Sequence, residues 1–168
     1  MTATESVFET QPLGSGWAIK HGLIGGFLAG VVFAMGEMIA ARLMQGDALM
    51  PLHMIAGLPL QQDPKTIAPA TAVPVGMIAH MAYSMALAAV LALVVAIVPG
   101  LRASGARTVI FATIIGFLIW PLNFYVIAPL LNAPWFATDT EPVLQFVFHT
   151  FLYGTVLGMY LAARLPER

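Results

Sequence analysis

Four long apolar stretches dominate the hydrophobic pattern of this 168-residue chain. They cover residues 22–44, 75–98, 108–131 and 142–163, and polar or proline-rich segments separate them. About 20 apolar residues in an α-helix suffice to cross the hydrocarbon core of a bilayer. The pattern therefore predicts an all-α integral membrane bundle of four transmembrane helices, arranged up-down-up-down, with residues 1–168 forming a single transmembrane domain.

The longest connection, residues 45–74, does not fit a fifth span because prolines interrupt it at Pro51, Pro59, Pro64, Pro69 and Pro74. Its first part, residues 49–60, is apolar, and it predicts a short segment lying at the membrane interface of an outer loop. Residues 1–19 have neither the basic region nor the cleavage site of a signal peptide, so we expect no cleaved leader.

Composition narrows the class of protein further. Charged residues make up only 9% of the chain, against roughly 25% in soluble domains, which excludes a soluble enzyme. The net charge of -1 provides no basic surface, so we expect the lipid bilayer and no nucleic acid as a partner. The chain has no cysteine, which excludes disulfides and thiolate metal sites.

The distribution of basic residues predicts the orientation of the chain. The side that carries both termini holds Lys20, Arg102, Arg107, Arg164 and Arg168, whereas the other side holds Arg42 and Lys65. Because Lys and Arg are enriched in cytoplasmic loops, we expect a multi-pass protein of the cell inner membrane with both termini in the cytoplasm.

Small residues at every fourth position form a stripe in two of the spans. Gly22, Gly26 and Gly30 lie in the first, and Gly154 and Gly158 lie in the fourth. Such stripes let helix backbones approach closely in lipid. We therefore expect the first and fourth spans to pack together, within one subunit, in a homo-oligomer or in a larger membrane complex.

One strongly polar residue lies at a similar depth in each span: Glu37, His80, Asn123 and His149. At a rise of 1.5 Å per residue, all four lie roughly 10 Å below the outer boundary. Helical spacing adds further polar residues beside the histidines, namely Tyr83, Ser84, Gln145 and Tyr153. Since ionisable groups in a span are costly and usually functional, this layer predicts a buried site.

The residue types in this layer fit several kinds of chemistry. Two imidazoles and a carboxylate, with Asn123, suit a transition metal ion such as Cu, Zn or Fe. Two histidines at equal depth also suit the axial ligation of haem b. Buried Glu and His residues serve as proton relays as well. A fourth interpretation is a hydrogen-bond network that only fixes helix packing.

Methionine residues bear on the choice of metal. Met77, Met81 and Met85 form a stripe in the second span. Thioethers with imidazoles select Cu(I), although methionine is also a common apolar filler. The stripe resembles the methionine ladder of Ctr-type copper transporters, but their methionine-rich outer tail is missing here.

These observations predict a small inner-membrane protein that binds or conducts a cation, either a transition metal or a proton. The alternatives are a haem-binding electron-transfer subunit that uses His80 and His149, and a structural accessory subunit of a larger complex. No nucleophile motif or phosphate-binding loop is present, so we predict no catalytic residue. A metal-dependent membrane oxidase is the enzymatic interpretation that remains.

The chain also shows a resemblance to known proteins that extends over its whole length. The run Trp120-Pro-Leu-Asn123-Phe-Tyr125-x-x-Ala-Pro129, followed by Pro134-Trp-Phe136 and His149, is its most distinctive part. The chain resembles small four-span bacterial inner-membrane proteins of unassigned role. The resemblance implies a four-span topology and no function for any residue.

Overall fold

The computed structural model describes residues 13–166, and these residues are almost entirely helical, with no β-strand among them. Six helices follow one another: α1 Ser15–Met44, α2 Met50–Leu60, α3 Pro69–Ile97, α4 Gly105–Leu130, α5 Trp135–Thr138 and α6 Pro142–Ala162. A 3-10 turn, Pro64–Thr66, precedes α3. Helices α1, α3, α4 and α6 are long and apolar enough to cross a membrane. The expected absence of a leader in residues 1–12 and the contribution of Arg168 to the orientation lie outside the described residues.

Helix α3 begins several residues before the predicted span, inside the proline-rich segment. Pro69 is its first residue, where the missing N–H has no helical partner to lose. Pro74 lies one turn further on, and the helix continues through it at the cost of one backbone hydrogen bond. The last two prolines of the run therefore lie within this span, whereas the other three lie in α2 and the 3-10 turn before it.

Two of the long helices contain a π-helical segment. In α4, Asn123–Ile127 is π-helical between the α-helical parts Gly105–Leu122 and Ala128–Leu130. In α6, Phe148–Thr155 is π-helical between Pro142–Val147 and Val156–Ala162. Single π-helical segments inside α-helices are often found at functional sites. The predicted site residues Asn123 and His149 lie in these two segments.

The glycine stripe of α1 packs against α3 within the chain, whereas the predicted contact between the first and fourth spans is made by other residues of these two helices. A Cβ atom on Gly22 would lie 2.5 Å from Ala89 Cα, and one on Gly26 would lie 2.6 Å from Ala88 Cβ. Gly30 comes next along α1 and faces Ser84, so the two helices meet in reverse chain order. The two backbones approach so closely that only glycine fits at these positions.

The glycine stripe of α6 packs against α4, and the backbones of these two helices also approach closely. Cβ atoms on Gly154 and Gly158 would lie 2.6 Å from the Ala112 carbonyl oxygen and 2.8 Å from Val109 Cα. Each partner helix has a buried small face of its own, made of Ser84, Ala88, Ala92 and Ala96 in α3 and of Thr108, Ala112 and Gly116 in α4. Helices α1 and α6 do touch, but through Gly25 and Gly36 against larger side chains.

The start of α1 and the end of α6 lie at the same end of the bundle. Trp17 Nε1 donates to the Arg164 carbonyl over 3.1 Å, and the Leu13 N–H donates to the Ala96 carbonyl over 3.2 Å. This half is tightly packed, with Val95, Leu157 and Leu161 completely buried.

The long connections meet at the opposite end of the bundle. Trp135 Nε1 donates to the Met54 carbonyl over 3.1 Å, and Lys65 Nζ lies 2.9 Å from Asp139 Oδ2.

Helix α2, the segment predicted to lie at the interface, packs directly on α3. The Leu52 backbone contacts Gly76, where any side chain would collide with it. Pro51, Leu52, Met54 and Ala56 are buried. The segment is therefore part of the folded bundle and covers its connection end, and its place at a membrane interface stays a prediction.

Candidate functional site

A cavity of about 280 Å³ lies in the half of the bundle that carries the long connections. All four residues of the predicted polar layer line it, with one from each long helix: Glu37 from α1, His80 from α3, Asn123 from α4 and His149 from α6. The four polar neighbours that the sequence singled out, Tyr83, Ser84, Gln145 and Tyr153, line it as well. The structure thus brings the whole predicted layer to one cavity.

The position of the cavity follows from the helix pairs. Helices α1 and α3 pack closely, as do α4 and α6, and α1 joins the two pairs. In the described part of the chain, α3 and α4 are not closely packed along their lengths. The space between them forms the cavity, and α2 covers it with Met54, Ile55 and Leu58.

His80 and His149 are each held by a backbone carbonyl. His80 Nε2 lies 2.9 Å from the Gly30 carbonyl oxygen, and His149 Nδ1 lies 2.8 Å from that of Gln145. A carbonyl can only accept, so these ring nitrogens are the donors. In the neutral rings, His80 Nδ1 and His149 Nε2 then keep a lone pair for another partner.

The Phe33 ring packs against both imidazoles. Its centroid is 5.4 Å from that of His80 and 4.8 Å from that of His149, and the latter contact is edge to face. Phe124 contacts His149 edge to face as well, at 5.7 Å. The histidines therefore lie among aromatic rings and do not face each other across open space.

Two tyrosines join helices at the cavity wall. Tyr83 Oη donates to Asn123 Oδ1 over 2.6 Å and bridges α3 and α4. Tyr153 Oη donates to the Ser84 carbonyl over 2.6 Å and joins α6 to α3. With its oxygen engaged, the Asn123 side chain keeps its amide N–H groups as donors.

Glu37 has a different environment. Its carboxyl group lies beside the Gln145 side chain, and Oε1 is buried and has no hydrogen-bond partner among the described residues. Glu37 and Gln145 also line a second, smaller cavity of about 40 Å³, together with Gln45, Asp139 and Glu141. The carboxyl group therefore lies in a wall shared by the main cavity and a small cavity beside the connections.

The ion pair between the connections lies near the smaller cavity. The hydrogen bond from Lys65 lowers the pKa of the Asp139 carboxyl below its ordinary value, and Thr138 adds a second donor. The same bond raises the pKa of Lys65. Asp139 therefore stays ionised beside the smaller cavity at neutral pH.

The predicted metal ligands do not form a metal-binding group. Among residues 13–166, no three His, Asp or Glu side chains lie close enough together to hold a metal ion. Glu37 and the two histidines share a cavity, but each bonds to a different part of the bundle. The methionine stripe lies elsewhere, since Met81 and Met85 pack against α1 at Gly30 and Gly26.

Phe33 contacts both His80 and His149, the two histidines that the sequence proposes as axial ligands of haem b. Haem ligation by this pair stays a prediction. The other two histidines lie outside the cavity: His53 Nδ1 bonds to the Pro64 carbonyl, and His21 Nδ1 lies 3.3 Å from Tyr160 Oη.

Sequence reasoning missed several parts of the site. Phe33 looked like any apolar residue of a span, and the Gly30 carbonyl carries no signal in a sequence. The cover formed by α2 was not anticipated, although the apolar run of residues 49–60 marked the segment. Pro121, which removes one backbone hydrogen bond from its helix, precedes the π-helical segment of α4 by two residues.

Comparison of the chain with protein-family models, with curated proteins and with solved structures finds no match to any of them. The geometry of the two cavities is therefore the basis on which a function can be proposed.

Proposed function

We propose that the chain is a four-span protein of a bacterial inner membrane, with its helices alternating in direction across the bilayer. The four apolar helices support this proposal. The excess of Lys and Arg at the end of the bundle that holds Trp17 and Arg164 favours a cytoplasmic position for that end. The long connections would then lie on the outer side.

We infer that the protein binds a proton at Glu37 and exchanges it with the side of the connections. The observation that carries this inference is Glu37 Oε1, which is buried without a donor in the wall between two cavities. An ionised carboxylate is costly in such surroundings unless a proton or another cation neutralises it. The smaller cavity, which Asp139 and Glu141 also line, offers a route from the connections.

A proton fits this position better than a metal ion does. A transition metal needs several ligands at once, and among the described residues no three His, Asp or Glu side chains lie close enough together to hold one. A proton needs only the carboxyl oxygen.

The packing of the bundle favours proton binding over conduction. The half that holds the chain ends is filled by small residues and by completely buried Val95, Leu157 and Leu161. A proton that reaches Glu37 from the connections would have to leave by the same route.

A structural role as an accessory subunit, in a homo-oligomer or in a larger complex, is the second candidate. The bonds Tyr83–Asn123, Tyr153–Ser84 and His80–Gly30 favour it, because each joins two helices. Packing alone does not explain a carboxyl oxygen buried without a donor.

Dicyclohexylcarbodiimide, which reacts with protonated carboxyl groups in apolar surroundings, tests the proposal. We expect mass spectrometry of the labelled protein to find the modification at Glu37. Glu37→Gln should abolish the modification, whereas Asp47→Asn, which removes an exposed carboxylate in a connection, should leave it unchanged. Labelling that is spread over the exposed carboxylates, with Glu37 unmodified, would overturn the proposal.

A further inference from the structure

The main cavity is far larger than proton binding at Glu37 requires. Its volume of about 280 Å³ is roughly twice that of the 150 Å³ apolar cavity known to bind benzene. Apolar side chains form most of its wall, including Phe33, Met54, Ile55, Leu58, Phe124 and Ile127. A concave apolar site with a few polar groups is typical of small-molecule binding.

The polar groups of the cavity specify what such a molecule must offer. The hydrogen bonds to Gly30 and Gln145 leave His80 Nδ1 and His149 Nε2 as acceptors. The bond from Tyr83 leaves the Asn123 amide as a donor. The complement of two acceptors and one donor is a molecule with hydroxyl groups, since a hydroxyl both donates and accepts.

The shape of the wall favours a flat ring. Phe33 and Phe124 both contact His149 edge to face, and Phe136 contacts Phe124 at 5.6 Å with an interplanar angle of 89°. Aromatic rings favour a further ring in edge-to-face or offset-stacked contact.

The side of the cavity between α3 and α4 offers a route from the bilayer. These helices are not closely packed along their described lengths, and the Tyr83–Asn123 hydrogen bond bridges the gap. Tyr83 is 41% exposed and also lines the cavity. This side chain therefore lies where the gap between α3 and α4 meets the cavity.

We propose that the main cavity binds a small uncharged aromatic alcohol of the phenol or hydroquinone class, which enters from the bilayer between α3 and α4. Its hydroxyl group donates to His80 or His149, and its ring contacts Phe33 and Phe124. The polar groups that would hold the molecule are His80, His149 and Asn123, so its binding does not require a proton at Glu37.

Binding of 1-naphthol to the full chain in lipid nanodiscs, followed by the probe's fluorescence, tests the proposal. Its matched partner is 1-methoxynaphthalene, which keeps the ring but cannot donate. We expect saturable, stoichiometric binding of 1-naphthol. The methoxy compound should bind about tenfold more weakly, because it cannot make one hydrogen bond that 1-naphthol makes. Equal affinity of the two probes for the wild-type protein would overturn the proposal without any variant.

Variants then locate the site. Ala79→Leu places a larger side chain in the cavity wall and should abolish saturable binding, whereas Val90→Leu, on the exposed face of the same helix, should leave it unchanged. One of the two substitutions His80→Phe and His149→Phe should weaken 1-naphthol about tenfold, and unchanged affinity in both would contradict the proposed hydrogen bond. Binding that survives in a folded Ala79→Leu protein would place the probe in lipid or elsewhere on the surface, and would overturn the proposal.

Discussion

The imidazole and phenol side chains around the main cavity bond mostly to backbone carbonyls. His80 bonds to Gly30, His149 to Gln145 and Tyr153 to Ser84. In an apolar environment a polar group without a partner costs several kcal/mol, and a carbonyl partner removes that cost. Glu37 differs because it is an acid with a buried oxygen that receives no donor from the described residues. This contrast is the reason why we propose Glu37, and not one of the other polar groups, as the site that binds a proton.

The ion pair between Lys65 and Asp139 predicts a pH dependence outside the spans. Because Lys65 lowers the pKa of Asp139, the ion pair is formed at pH values above the ordinary 3.8 of the carboxyl group and is lost as the pH falls through the lowered value. We expect Lys65→Gln to move the titration midpoint of Asp139 upward, toward 3.8. Carbon NMR of labelled aspartate measures this midpoint.

Lys20→Gln provides the control, since it removes a cation from the opposite end of the bundle. It should leave the Asp139 midpoint where it is in the wild-type protein. Identical midpoints in the wild-type and Lys65→Gln proteins would contradict the ion pair. The pair is exposed, with 65% of the Lys65 side chain accessible, so its effect on global stability should be small.

The sequence predicted which polar residues lie at the same depth in their spans, but not which groups their side chains contact. Helical rise alone placed Glu37, His80, Asn123 and His149 at one depth. The partners depend on side-chain rotamers and on which carbonyl lies opposite, and neither is encoded in residue spacing. The contact of Phe33 with both histidines was for this reason not predictable.

Small-residue faces determine how the long helices pair. Gly22, Gly26 and Gly30 fit the small face of α3, and Gly154 and Gly158 fit that of α4. In lipid no hydrophobic force drives helices together, so close backbone contact provides most of the association energy.

A leucine at Gly22 should therefore separate α1 from α3. A Cβ atom there would lie 2.5 Å from Ala89 Cα, which is backbone and cannot move aside easily. We expect Gly22→Leu to destabilise the fold by about 1–3 kcal/mol or more, measured by denaturant unfolding in detergent. Gly16→Leu is the matched control, because nothing lies within 4 Å of a Cβ atom at that position of the same helix. Equal stability of the two variants would contradict the described packing.

The sequence predicted the small faces of α1 and α6 but assigned them to each other. The faces of α3 and α4 follow the same four-residue spacing, but alanine dominates them and does not stand out in an apolar span. The π-helical segment of α6 was not predictable from its own sequence, because it packs against another helix. The His149 carbonyl packs against Gly116 of α4, where any side chain would collide with it. Which helices pack together depends on whether their surfaces are complementary in shape, and the sequence of one helix alone does not reveal this.

The two halves of the whole molecule differ in packing. The half at the chain ends is closed by small residues and buried leucines, whereas the half at the connections contains both cavities under α2. Acidic side chains of the connections, Asp139 and Glu141, line the smaller cavity, and Glu37 lies where it meets the larger one. This asymmetry is the basis for a proton site that is reached from one side.

Infrared difference spectroscopy of the lipid-reconstituted protein, acid minus neutral buffer, tests the central claim most directly. The C=O stretch of a protonated carboxyl group in apolar surroundings reports proton uptake at Glu37. We predict one such band, shifted in D₂O, in the wild-type and Asp47→Asn proteins and lost in Glu37→Gln. An unchanged band in Glu37→Gln would contradict the assignment of the proton site to Glu37.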